Sequence, residues 1–418
     1  MKKLFIVILA VLISAAALCS CGSDELGPET DLTSKVGSDE NQTYNFTNGE
    51  TELPDTYTAY KTSAQGFSFD ILRTMYKKNR NAFYSPAGLF GQLSLMENAA
   101  AGSSLTQLKT LVNKSLSVDE LNYSSGYFYS RLASLSDSAE NASAEIKSAF
   151  YFNDGIPVGQ EFTRRNANYY SQGLFRLDYS DSASLDKINS YISSQSGGMF
   201  DSLMPSLDSK KGIDLSSTVR FSDDWLAGFK GENVFSAPFK GSAATKKTAF
   251  LSGTEYFLKS KGCTGFIKDF KNTPCKFVAI LPDGDIDTLI KKINYTTYEQ
   301  LIDSMDIMTT CSVSLPAFSR EFSGDLSDAV KDSGVTNIFN SKANFNSLSY
   351  GCKAKVGRIM QGAKLSITAS GTNDGEPVIS QYEKPEPKHE VKLDRPFIYM
   401  VVDNESYIPI LMGVVSDI

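Results

Sequence analysis

The chain has 418 residues, 41% of them hydrophobic and including 26 Phe and 20 Tyr, ample material for a sizeable core. That excludes an intrinsically disordered protein. Lys and Arg number 41 against 48 Asp and Glu, a net charge of −7 with no dense basic stripe, which argues against nucleic acid as a partner.

The N-terminus MKKLFIVILAVLISAAALCSCGSDE opens with two lysines and an apolar run, the layout of an export signal absent from the folded protein. Leu18-Cys19-Ser20-Cys21 resembles a bacterial lipobox, in which a small residue precedes the cysteine that receives lipid. Cys21 follows Ser20 and fits better than Cys19, which follows Leu18. Residues 1–20 are therefore expected to be a lipoprotein signal peptide and Cys21 the lipidated first residue of a cell-surface protein on a bacterial membrane. An ordinary secretory signal with incidental cysteines is the alternative. Residues 21–59 read as an acidic, flexible tether, since 22–55 carry nine acids and one lysine among Ser, Thr, Asn and Gly.

One domain is expected over 60–418. Gln65–Asn79 places Phe67, Ile71 and Met75 at helical spacing. Ser85-Pro86 reads as a side-chain cap with proline at the first helical position, followed by Leu89, Leu93 and Met96 on one face. This second helix has almost no charge and should be buried. From about residue 215 the texture becomes strand-like, in FLSGTEYFL, KFVAILP, CSVSLPAF, AKLSIT, RPFIYMVV and YIPILMGVV. Helices first and antiparallel strands concentrated later predict an α+β domain. Cys263, Cys275, Cys311 and Cys352 fit no CxxC motif; a Cys263–Cys275 disulfide and four free thiols are both open.

His389 is the only histidine, so any histidine-based triad or imidazole zinc site would need it, and it sits in a polar stretch unsuited to a rigid catalytic shell. No phosphate-binding loop, dinucleotide fingerprint or nucleophile elbow is present. The chain is not expected to be an enzyme. That polar stretch, residues 371–390, lies between two apolar runs and holds five acids, two lysines and three prolines.

Taken in order, several motifs resemble the serpin family over almost all of 60–418. They are Asn81-Ala-Phe-Tyr-Ser85-Pro86, Ile188-Asn189-Ser-Tyr191-Ile192, Arg220-Phe221 with Trp225 and Phe229, Val313-Ser-Leu315-Pro316-Ala-Phe318, Gly334 to Phe339, Ala343-Asn-Phe345, Asp394-Arg395-Pro396-Phe397, and Leu411-Met412-Gly413. The resemblance implies three β-sheets, about nine helices, and an exposed reactive loop at 371–390 that proteases meet. It implies a suicide-substrate inhibitor of serine, or cysteine, proteases: a monomer that needs no cofactor and whose loop inserts into the main sheet after cleavage.

The family's hinge resembles Ile367-Thr-Ala369-Ser370-Gly371-Thr372, and its loop length would put the reactive bond at Pro385–Glu386. Lys384 would suit a trypsin-like enzyme, though Pro385 follows it; Tyr382–Glu383 and Lys388–His389 are alternative bonds. Thr372, Asp374, Glu376 and Val378 would face the core on insertion, and Pro377 would remove a ladder hydrogen bond. Two buried carboxylates would oppose insertion. Ala369 replaces an acidic residue usual in the family, and Gln361 stands where it often has histidine. A non-inhibitory binding or structural module on the same fold is therefore the second reading.

Overall fold

The computed structural model describes residues 30–32, 53–136, 142–372 and 384–418. Cys21, Asp374, Glu376, Pro377 and Tyr382 lie outside the described residues. The opening helix, α1, runs over Tyr57–Met75, beginning eight residues earlier than expected. Tyr57, Tyr60, Ala64, Phe67 and Ile71 share its buried face, and Tyr60 packs edge-on against Phe90. Asn79 cannot belong to it, since its φ of 62° is left-handed. The next helix, α2 (Pro86–Ala99), matches expectation: the Ser85 Oγ accepts from the Gly88 N–H at 3.1 Å, and all fourteen residues are buried.

Fourteen strands are found among the described residues: β1 (Ala82–Tyr84), β2 (Ser143–Asn153), β3 (Gly173–Leu177), β4 (Gly212–Ser222), β5 (Val234–Lys240), β6 (Thr245–Ser260), β7 (Cys263–Asp269), β8 (Cys275–Pro282), β9 (Thr310–Pro316), β10 (Phe318–Asp325), β11 (Lys355–Ile367), β12 (His389–Lys392), β13 (Phe397–Asp403) and β14 (Pro409–Val415). They form a five-stranded sheet, β10-β11-β4-β2-β3, and a nine-stranded one, β1-β14-β13-β8-β7-β6-β9-β12 with β5 beside β6. The larger sheet is two run together by the long β6. Its first part carries β5 and β9, and its last residues carry β7.

Strands β2 and β3 lie in the half read as helical. They alternate with helices at Val118–Ser136, Gln160–Tyr169 and Ser182–Gln195, so no run of strands stands out there. KFVAILP reads as a continuous apolar run because both faces of its sheet are covered. Val278 and Ile280 join one core cluster with α1 and α2, while Phe277, Ala279 and Leu281 join another between the two sheets. In β13, Ile398, Met400 and Val402 alternate in the same way with Phe397, Tyr399 and Val401.

Parts of the segment 21–59 expected to be a solvated tether are packed: α1 already begins at Tyr57, and Pro54 and Tyr57 are buried. Asp31 bridges Phe175, the Leu32 N–H donates to the Leu174 carbonyl (2.8 Å), and Leu32 is buried. Among the described residues Cys263, Cys275, Cys311 and Cys352 are buried free thiols. Antiparallel pairing sets Cys263 opposite Pro282 and Lys276 opposite Asp269, so Cys263 and Cys275 lie at opposite ends of the β7–β8 ribbon. That is a separation of roughly 20 Å, beyond the reach of a disulfide.

Candidate functional site

At the centre of the five-stranded sheet β4 and β11 run parallel, from Lys355 opposite Gly212 to Lys364 opposite Arg220. Both outer partners of this pair, β2 and β10, are antiparallel to it. A strand entering between β4 and β11 and antiparallel to both would complete an antiparallel run. The pair is locked from beneath by buried polar side chains. Gln361 accepts from the Ser85 N–H (2.6 Å) and donates to the Ser85 carbonyl (3.1 Å) and the Ser217 hydroxyl (3.2 Å), while Gln92 donates to the Ser216 carbonyl (2.7 Å). Gln361 thus ties β11 to β4 and to the cap of α2 together.

Lower in the same pair, the register shifts between Val356 and Ile359. Asp214 of β4 is buried there, and a Cβ on Gly357 would meet its Oδ1 at 2.4 Å, so the glycine makes room for the carboxylate. Burial pushes the Asp214 carboxyl up to about 7, partly offset by Tyr179 and the Arg358 backbone N–H.

The hinge follows β11 directly. The Thr368 N–H donates to the Gly371 carbonyl (2.8 Å), reversing the chain so that Gly371 bridges Asp224 in the antiparallel sense. The Thr372 N–H donates to the Asp223 carbonyl (2.9 Å), and the Asp223 N–H to the Thr372 hydroxyl (2.8 Å). Gly371 and Thr372 therefore already pair with the chain that continues β4, antiparallel to it. A Cβ at Gly371 would stand 2.3 Å from the Asp223 carbonyl oxygen, which only glycine permits.

The Asp223 carboxylate accepts from the Asn272 and Thr273 backbone N–H groups (3.0 and 2.6 Å to Oδ2), holding this corner to the β7–β8 turn. Beneath the hinge lies Trp225, fully buried and stacked on Phe270 at 4.5 Å. Its indole N–H donates to the Thr368 carbonyl (3.0 Å) and its backbone N–H to the Ser370 carbonyl (2.7 Å). Trp225, Phe229 and Phe397 are buried, Trp225 edge-on to Phe229 and Phe397 edge-on to Tyr399. The Phe229 N–H donates to the Ala369 carbonyl (2.9 Å).

The far end of the polar stretch is held just as firmly. Pro385 and Glu386 both present their carbonyls to the Thr310 hydroxyl (2.9 and 3.2 Å), the Lys388 N–H donates to the Thr310 carbonyl (3.1 Å), and His389 to Lys392 form β12, parallel to β9. Lys384 pairs with Glu255, which also pairs with Lys268 at 2.6 Å. Lys268 and Glu255 are each only 3% exposed in their side chains, and Lys384 14%. Burial pulls Lys268 below the usual lysine range, with Glu255 pulling it back up. Lys268 also donates to the Ala227 carbonyl (2.6 Å) and lies 4.4 Å over the Phe229 ring, so this ionic cluster abuts the aromatic floor under the hinge.

His389 is exposed and stacks on Phe257 at 4.1 Å, a packing role. The segment read as a hinge continues β11 and turns at Gly371, and the far end of the polar stretch is bonded to Thr310, whereas Asp214, Glu255 and Lys268 were not singled out from the sequence. The available signal was a charge inside an apolar strand, in GIDL, GTEYF and GFIKDF.

A family model described as serpin (serine protease inhibitor) matches residues 62–418. The chain belongs to the serpin family. Leukocyte elastase inhibitor of Bos taurus is 24% identical over 375 residues, covering 84% of this chain and 97% of its own. The native structure of the thermophilic serpin tengpin superposes with a TM-score of 0.78 at 24% identity, covering 88% of this chain and 96% of that one. Human thyroxine-binding globulin does so at 0.73 and 18%, covering 87% and 99%. Serpins are mostly protease inhibitors, and the globulin's name marks a binding protein on the same fold.

Proposed function

We propose that this serpin is a suicide-substrate inhibitor of serine proteases, cysteine proteases being the second class, and that a protease cleaves its 371–390 loop. The observation that carries the reading is the placement of Gly371-Thr372. These residues follow β11 directly and pair antiparallel with Asp223-Asp224 at the end of β4, at the mouth of the parallel β4–β11 pair. A chain continuing from Thr372 has a template on both sides. Insertion would lengthen the sheet by one strand and release strain stored in the native state. The reactive bond in this reading is Pro385–Glu386, with Tyr382–Glu383 and Lys388–His389 as alternatives; the acyl bond is made by the protease's own nucleophile.

The second reading, a non-inhibitory surface module whose loop is cut without trapping, is favoured by Asp374, Glu376 and Pro377 in the segment that would insert. Cleavage with a panel of trypsin-, chymotrypsin-, elastase- and subtilisin-like enzymes separates the two. The inhibitor gives an SDS-stable complex, and its cut form melts well above the intact chain. Cutting with no complex and an unchanged melting temperature would establish the module instead.

We further propose a monomer anchored to a bacterial membrane through lipid on Cys21. Cys21→Ala is expected to move the protein from the membrane fraction to the soluble one; equal membrane retention of the variant would overturn the anchor.

A further inference from the structure

We propose that Lys384, Glu255 and Thr310 form a clamp on the C-terminal root of the loop that withholds the bonds after Lys384 from a protease until the clamp opens. The inference rests on reading 371–390 as the protease-facing loop. A serine protease must take the carbonyl oxygen of the bond it cleaves into its oxyanion hole and pair with the flanking backbone as an extended strand. At Pro385 that oxygen already accepts from the Thr310 hydroxyl at 2.9 Å, and Glu386 presents its own at 3.2 Å. At Lys388–His389 the Lys388 N–H is bonded to the Thr310 carbonyl, and His389 already pairs with Cys311. Neither bond can enter an active site without unzipping the root.

Lys384 is what fastens the root at its loop end. Its ammonium lies on Glu255 and 5.0 Å over the Tyr256 ring, both on β6, while Thr310 opens the neighbouring β9. Charge makes the clamp releasable. Glu255 and Lys268 are a buried, neutral pair at 2.6 Å, and Lys384 adds a second positive charge. Removing Lys384 leaves the neutral pair intact, whereas removing Glu255 would strand two buried ammonium groups. The cluster therefore tolerates departure of the loop root without a buried unpaired charge. Lys384 is a positioning residue here, not a specificity residue presented to the enzyme.

The test uses the full chain with Lys384→Met and, separately, Thr310→Val, read by hydrogen–deuterium exchange and by mass-spectrometric timing of the trypsin cut at Lys388–His389. In each variant exchange at the Lys388 amide and cutting at Lys388–His389 should rise about tenfold, the effect of losing one charge-assisted or hydroxyl bond to a locally opening segment. Amides of β13 and the melting temperature should stay as in wild type, and Lys384→Arg should restore slow exchange. Root exchange and cutting unchanged in both variants, or an increase spread equally over β13, would overturn the clamp. The exchange measurement involves no protease, so it stands or falls apart from the inhibitor reading, which the SDS-stable complex decides.

Discussion

On the inhibitor reading proposed above, replacing Thr372 with arginine is expected to turn a trap into a plain substrate, abolishing the SDS-stable complex while the loop is still cut. Thr372 is the first residue beyond the hinge turn, and its hydroxyl both accepts from the Asp223 N–H (2.8 Å) and donates to the Asp223 carbonyl (3.2 Å). Arginine loses both bonds and puts a guanidinium at the first position to enter between β4 and β11. Burying an unpaired charge costs several kcal/mol, and each 1.4 kcal/mol on a barrier is about tenfold in rate. Trapping is a race between insertion and release of the acyl-enzyme, so a penalty of this size decides it. The measurement is the number of inhibitor molecules consumed per protease trapped, together with the complex on SDS gels. Equal stoichiometry for Thr372→Arg and wild type, against an enzyme that wild type traps, would remove insertion at this hinge from the mechanism.

The turn at Gly371 could be read from sequence because its requirements are local. Gly371 is needed where a Cβ would strike the Asp223 carbonyl, and Ser85-Pro86 announces a helix start within four residues. The C-terminal strands were legible for a similar reason. β13 and β14 are apolar on both faces, separated by a short turn, and pair as Met400 with Met412. What could not be read depends on register between distant strands. Lys268 meets Glu255 only because β6 and β7 form a ribbon, and Lys384 reaches Glu255 across 129 residues. In the sequence Glu255 and Lys268 are charges inside strand-like runs and Lys384 lies in a polar stretch, with nothing to say that the three meet. Asp214 is similar: GIDL shows a charge inside an apolar run, but the register shift in β11 beside which it is buried belongs to a strand that begins only at Lys355. The early start of α1 was hidden by acidic, polar residues upstream, which lent their character to Tyr57 and Tyr60.

Asp214→Asn should stabilise the chain by up to about 4 kcal/mol above pH 7 and by little below pH 4, the largest effect on stability foreseen for a conservative change in the sheet. Burial is the cause: it moves the carboxyl from 3.8 to about 7, and Oδ2 has no hydrogen-bond partner among the described residues. The sign follows from proton binding. Below pH 4 folded and unfolded chains both hold the proton, and the site costs nothing. Between pH 4 and 7 the unfolded chain releases it while the folded chain keeps it, so stability falls as pH rises, and the loss is complete above the folded value. Asparagine has no proton to release and keeps nearly the same shape against Gly357.

Glu97 is a second buried acid, pushed up to about 8 by burial, and it bends the wild-type curve in the same direction. The difference between variant and wild type cancels that contribution and isolates Asp214. Denaturant midpoints of both proteins at pH 4, 6 and 8 measure it. A difference that does not grow with pH would mean that Asp214 is solvated in the native state. The growth has a functional counterpart. In the proposed insertion β4 and β11 part beside Asp214, so the carboxylate that weakens the closed pair at pH 8 would also ease its opening. The more stable Asp214→Asn protein should then insert its loop more slowly and consume more molecules per protease trapped at pH 8.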